Sequence, residues 1–365
     1  MSSGEKDRRY GQGAARSRLA LWSVSILLIL SAVLPLGAYL YSSVASAQQA
    51  TSRDVNPRAN YWRAVRDGDR GDTTSSGPYT TNVLIQNGGQ NFRVLRNGPL
   101  VSYGAGLMAL MLAAIIVFFA VRGRIRIEGG RSGERVPRFT LTDRILHWSV
   151  VVLFLLLAIT GLILMYGRAV LIPIFGLPFF AATAAAAKFA HNLFGPLFVV
   201  ALVIMIVKFI AGNLPARGDL KWLLRGGGML RGRHASAGRY NTGEKFWFWV
   251  VTLMGLTVAV TGLILDFPVF GQTRGIMQLS QLLHGAAALI FITGALGHIY
   301  IGTLGMEGAL EAMTRGSVDG NWAREHHDQW YEKMKAEGRL QSEAAEQARS
   351  GTGPAPLSPA AGDNS

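Results

Sequence analysis

The chain has 365 residues, of which 50% are hydrophobic and 16% charged, with a formal net charge of +14, seven histidines and no cysteine. Together with a mean hydropathy of +0.26, this points to a polytopic membrane protein; the basic residues cluster beside long apolar runs and form no basic face with interleaved aromatics, which argues against nucleic acid as a partner. Without cysteine the chain supplies no disulfide, iron–sulfur cluster, covalent CxxCH haem attachment or zinc ribbon, so any cofactor is held by histidine, carboxylate or noncovalent contact.

Residues 1–47 form a basic start, with Arg8, Arg9, Arg16 and Arg18, followed by the apolar segment Leu19–Tyr41 and Ala45-Ser46-Ala47, which resembles a signal-peptidase site. The apolar run exceeds a usual signal-peptide core, so a cleaved signal peptide and a retained anchor both remain open. Either way residues 48–100 lie outside the cytoplasm as a small polar docking segment, with Tyr61-Trp62-Arg63 and the strand-like run Asn82-Val83-Leu84-Ile85-Gln86. An extra transmembrane helix follows at 101–121, then a basic linker at 122–144 containing Arg122, Arg124, Arg126, Arg131, Arg135 and Arg138, a cytoplasmic signature.

Residues 145–305 hold four further apolar segments, Ile145–Met165, Leu193–Ala211, Phe246–Leu265 and Leu282–Leu304, each close to the roughly 20 residues that cross a bilayer. The connection Tyr166–Ala190 is poor in basic residues, the one after Ala211 is rich in them, and the one before Leu282 has only Arg274. That alternation runs the first of the four outward and the last inward, with a cytoplasmic C-terminus. Residues 306–336 form a cytoplasmic helical segment, in which His326 and His327 read as part of a solvated polar helix, and 337–365 a disordered tail. His234 reads as a surface residue of a Gly-rich loop.

The remaining four histidines fall in or at the ends of the four segments, where ionisable residues are functional candidates. His284 and His298 are fourteen residues apart, close to four helical turns, so they share one face of the last helix about 21 Å apart. His147 begins an outward helix and lies level with His298; His191 begins an inward helix and lies level with His284. Two cross-helix pairs at two depths suit two planar macrocycles with axial imidazoles on each iron, hence two b-type haems. They cannot converge on one zinc or copper ion, and the four segments lack the interior acidic residues of a proton or metal transporter. Gly195, Gly285 and Gly297 beside the histidines give a wide ring room or serve ordinary helix packing, and Arg144 and Lys188 can pair with haem propionates or snorkel.

The pattern resembles the integral-membrane cytochrome b (gamma) subunit of respiratory formate dehydrogenases. The resemblance rests on Arg135-Val136-Pro137-Arg138-Phe139, Arg144-Ile145-Leu146-His147-Trp148, Lys188-Phe189-Ala190-His191-Asn192, Arg239-Tyr240-Asn241-Thr242-Gly243-Glu244-Lys245, and His284 to His298 running into Gly305-Met306-Glu307-Gly308-Ala309. Longer members are also similar through Asn56–Arg63 and Asn82–Gln90. It implies an all-α four-helix di-haem bundle in the bacterial inner membrane, preceded by one or two extra segments. His191 and His284 would ligate the outer haem and His147 and His298 the inner.

The resemblance further implies a quinone site at Asn241, Gly243 and His298. Read without the family, Asn241-Thr242-Gly243-Glu244 is a helix-start motif. Electrons would come from an iron–sulfur (beta) subunit, and formate oxidation would belong to a molybdenum- or tungsten-pterin (alpha) subunit, members often forming trimers of the whole complex. The alternatives are the cytochrome b subunit of a membrane-bound nickel–iron hydrogenase and, from another class, a haem-free anchor or transporter.

Overall fold

The computed structural model describes Arg63, Asp67, residues 87–225, Gly227 and residues 236–343. The segment Leu19–Tyr41, Ala45-Ser46-Ala47, the run Asn82–Gln86, His234 and the tail after residue 343 lie outside the described residues. Four helical stretches within them are long and apolar enough to cross a membrane: Gly89–Arg122, Leu141–Asn213, Thr242–Asp266 and Arg274–Gly305.

Helix α1 (Asn87–Leu95) passes through a π-helical turn at Arg96–Leu100 into α2 (Val101–Arg122). Helix α3 (Leu141–Phe209) is 69 residues long, which if straight would reach about 100 Å, three times the bilayer core. It is not straight: Gly176 takes φ 80° and ψ 169°, open essentially to glycine alone, and divides it into arms of residues 141–175 and 177–209. The arms double back on each other, since a Cβ on Gly167 would lie 3.2 Å from Phe180. The expected connection Tyr166–Ala190 is therefore helical except at this hinge. Ala181–Ala187 is built almost wholly of the best helix former, and Pro178 sits in the first turn of the second arm, where its missing N–H costs little.

Two more long helices follow the short α4 (Asp219–Leu224): α5 (Thr242–Asp266) and α6 (Arg274–Tyr300), the last continuing as a π-helical turn at Ile301–Gly305. Helix α6 starts a full two turns before the apolar segment that announces it, because Gln278, Ser280 and Gln281 lower its hydropathy without opposing helix. The two arms of α3, α5 and α6 make up the expected four-helix bundle, with α2 as an extra N-terminal helix.

The chain forms two compact units. The first comprises residues 87–123, 146–211 and 246–305. One of its apolar clusters joins both arms of α3 to α5 and α6 through Val150, Phe198, Leu202, Val251, Ala259 and Phe291. A second joins α2 to α6 and the first arm through Ala105, Met108, Tyr166, Val170 and Leu289. Lipid gives helices no hydrophobic reason to associate, so close packing must do it. Gly104 of α2 lies so near Leu289 that a Cβ there would overlap Leu289 Cδ1, and the Tyr166 hydroxyl donates to the Val101 carbonyl at 2.9 Å.

The second unit comprises residues 124–145, 212–245 and 306–343 as far as they are described. Here β1 (Glu134–Pro137) is the centre of a three-stranded antiparallel sheet between β2 (Ser317–Asp319) and β3 (Gln341–Ser342). Helices α7 (Glu311–Thr314), α8 (Gly320–His326) and α9 (Asp328–Ala336) accompany it. Val136, Val318, Trp322, Trp330, Tyr331 and Met334 lie in its core. Two arginines are buried with them: Arg135 binds Glu311 at 2.6 Å, and Arg138 binds Glu244 at 2.9 Å beneath the rings of Trp322 and Trp330.

His327 corrects the expectation of a solvated polar helix. It is 0% exposed, sits at the break between α8 and α9, and has Nδ1 2.8 Å from the Gly238 carbonyl. The three aromatic residues Trp322, Trp330 and Tyr331 give this polar stretch an apolar face, and His327 follows them inward.

Candidate functional site

The first arm of α3 carries His147, its second arm His191, and α6 both His284 and His298. The structure brings them together two by two. The ring centres of His147 and His298 are 6.5 Å apart, and those of His191 and His284 6.0 Å apart. An imidazole nitrogen bound to a metal at about 2 Å puts its ring centre about 3 Å from that metal, so rings on opposite sides of one ion have centres about 6 Å apart. Both pairs have that spacing. Among the described residues no group of three His, Cys, Asp or Glu is placed to hold a metal ion, and a bare zinc site needs more protein ligands than two imidazoles. Two imidazoles at this spacing fit an ion whose other ligands come from a planar ring, which is the donor set of a b-type haem.

The surroundings of the two pairs differ. Thr160 Oγ1 lies 2.8 Å from His191 Nδ1, and Thr261 Oγ1 lies 3.1 Å from His284 Nδ1. The residue after each threonine is a glycine against the same ring: a Cβ on Gly161 would be 3.4 Å from His191 Cε1, and one on Gly262 3.2 Å from His284 Cε1. At the other pair, Trp247 of α5 stacks on His298 at 4.8 Å and 15°, while the buried Nδ1 of His147 has no hydrogen-bond partner. The threonine and glycine positions escape a reading based on ionisable residues, yet the sequence signals them. Thr-Gly-Leu-Ile-Leu occurs at 160–164 and again at 261–265.

Between the pairs lies an aromatic block. Phe291 is seven residues from each histidine of α6, with its ring 4.5 Å from Phe154 and 6.0 Å from Trp247. No ionisable residue occurs on α6 between His284 and His298, and the one buried hydroxyl there, Thr293, donates to the Leu289 carbonyl at 2.7 Å.

The other expected site residues belong to different surroundings. In the second unit Asn241 opens α5 with a reciprocal cap: its Oδ1 accepts from the Glu244 N–H at 3.0 Å, and Glu244 Oε2 accepts from the Asn241 N–H at 3.1 Å. A Cβ on Gly243 would meet Asn241 Oδ1 and the Trp222 ring, each at 3.2 Å. Arg144 donates to the Thr314 carbonyl at 2.6 Å, with its Nε buried and lacking a hydrogen-bond partner. Lys188, in the first unit, is exposed.

The sequence profile of the prokaryotic cytochrome b561 family matches residues 138–316. The chain is 34% identical over 217 residues to the cytochrome b556(Fdn) subunit of the nitrate-inducible formate dehydrogenase of Escherichia coli (strain K12), covering 58% of this chain and 97% of that one. It is 32% identical over 203 residues to the formate dehydrogenase cytochrome b556 subunit of Haemophilus influenzae, covering 54% of this chain and 82% of the relative. With the cytochrome b556(fdo) subunit of Escherichia coli (strain K12) it shares 29% identity over 206 residues, 55% of this chain and 94% of the relative.

Proposed function

The chain belongs to the family of formate dehydrogenase cytochrome b556 subunits, and from that premise we propose that it passes electrons from an iron–sulfur partner through two b haems to a membrane quinone. Binding of haem b and the role of membrane-anchoring cytochrome b come with the family, as do catalytic and iron–sulfur subunits as partners. The relatives do not favour the hydrogenase reading.

The observation that supports two haems is the spacing of the two histidine pairs, 6.5 Å and 6.0 Å between ring centres. His191 and His284 would hold one haem, His147 and His298 the other, with Arg144 and Lys188 as partners for propionates. When bound, each haem supplies a one-electron change at iron. The chain's own residues fix two imidazoles per site, keep water from the helix interior with apolar and aromatic side chains, and set the spacing along α6. The arginines of residues 122–138 and the basic connection before α5 support an orientation with these stretches, and the C-terminus, on the cytoplasmic side. Asn241, Gly243 and His298 are the proposed quinone ligands; an amide can donate to a quinone carbonyl. Assembly into trimers of the whole complex is part of the same reading.

Haem stoichiometry and reduced-minus-oxidised spectra of the purified complex test this. Two haems per chain are expected, falling to one in His284→Ala with the spectrum of the other retained. A single haem in the unsubstituted protein, or two in His284→Ala, would overturn the reading.

A further inference from the structure

Thr160 and Thr261 stand at equivalent places in the repeated Thr-Gly-Leu-Ile-Leu, each on the helix that precedes a histidine-bearing one. Thr160 Oγ1 donates to the carbonyls of Leu156 at 2.8 Å and Leu157 at 3.1 Å. Thr261 Oγ1 does the same with Thr257 and, at 3.5 Å, Val258. Carbonyl oxygens only accept, and a hydroxyl has one hydrogen and two lone pairs. Where that one hydrogen is given to these carbonyls, what each hydroxyl turns toward its histidine, at 2.8 Å and 3.1 Å, is a lone pair. The nitrogen facing a lone pair is the one that carries the proton, here Nδ1. In a neutral imidazole Nε2 is then left with its lone pair exposed for a metal.

Resting on the reading that His191 and His284 hold one haem, we propose that Thr160 and Thr261 are positioning residues that lock both ligands in the Nδ1-protonated form and lower the reduction potential of the iron between them. A back-bonded threonine by itself is ordinary helix chemistry. What sets these two apart is their recurrence in one pentapeptide, with the same hydroxyl-to-Nδ1 contact and a glycine directly after each that lets the ring's Cε1 edge lie against the helix. A histidine that donates through its outer nitrogen is a more basic ligand, and a more basic ligand favours ferric iron. The other pair lacks this on one side at least, because His147 Nδ1 is buried without a hydrogen-bond partner. The two sites are thereby given different potentials, the one between His191 and His284 being the harder to reduce.

The test uses the purified complex with Thr160→Val, Thr261→Val and both together, and with serine at the same positions to keep the hydroxyl. Haem content is measured by haemochrome assay and both midpoints by optical redox titration. The valine variants are expected to retain two haems and to raise one midpoint, with the reduced-to-oxidised ratio at a fixed potential up about fivefold in the double variant, about 40 mV for a one-electron couple. The serine variants should titrate like the unsubstituted protein. Loss of one haem with valine but not with serine also supports a hydroxyl that positions the ligand. Two haems with unmoved midpoints in the valine variants, or equal effects of serine and valine, would overturn the proposal. Failure of the underlying reading looks different: His284→Ala would then keep both haems.

Discussion

Glu325 and His327 lie two residues apart in the second unit, and burial acts on them with opposite consequences. Burial, reinforced by Glu128, pushes the Glu325 carboxyl up from 4.5 to about 7. Burial, reinforced by the Arg138 guanidinium, holds His327 well below its usual 6.5. For Glu325 the folded chain keeps a proton that the unfolded chain releases from about pH 4.5 upward, so this contribution to stability is lost as pH rises through about 7. For His327 the unfolded chain takes up a proton that the folded chain refuses, so stability is lost as pH falls below 6.5. Glu325→Gln removes the first effect only. Its stability relative to the unsubstituted chain is therefore expected to be greater at pH 8 than at pH 5, read as hydrogen-exchange protection of residues 317–336 corrected for intrinsic rates. The same difference at both pH values would show that Glu325 is not held protonated. Nothing in the sequence announces this pair. His327 looks solvated in a stretch as charged as Arg324-Glu325-His326-His327-Asp328, and only the partners brought from other parts of the unit bury it.

Among the elements, α3 depends most on one residue. With φ 80° and ψ 169° at Gly176, any side chain there is strained by about 1–3 kcal/mol. Gly176→Ala should lower the midpoint of detergent or thermal unfolding and loosen the contact between the arms; an unchanged midpoint would mean that the hinge has another conformation to use. The apolar segments α2, α5 and α6 and the two arms were legible because a bilayer crossing needs a length of apolar sequence that little else requires. The hinge was not, because hydropathy falls in the Tyr166–Ala190 stretch whether the chain loops or stays helical. The strands were not legible either: β1, β2 and β3 have four, three and two residues, too short for an alternating pattern to show. The meeting of His147 with His298 and of His191 with His284 was legible, since helix direction and a fourteen-residue spacing on α6 fix it without side-chain detail. Their neighbours Thr160 and Thr261 are written in the sequence as a repeat, but a hydroxyl carries no charge to mark it as a partner of a buried histidine.

For the molecule as a whole, the proposed route ends on a quinone, and Asn241 separates that end from the rest. Asn241→Ala should leave both haems bound and reducible by formate through the partner subunits, while slowing their reoxidation by quinone at least tenfold. Loss of haem, or unaltered reoxidation, would reduce Asn241 to the helix cap it visibly forms with Glu244, worth about 1 kcal/mol. The block of Phe154, Trp247 and Phe291 has a consequence for what can travel between the histidine pairs. Protons need a file of polar groups or water to cross a membrane, and α6 offers none between His284 and His298, the one buried hydroxyl of that stretch, Thr293, being spent on its own helix. Electrons tunnel through packed side chains and need no such file. If electrons pass between two haems here as proposed, a path that admits them and offers protons no file along α6 separates the two charges: each electron that crosses would leave its proton behind, and the membrane would gain voltage.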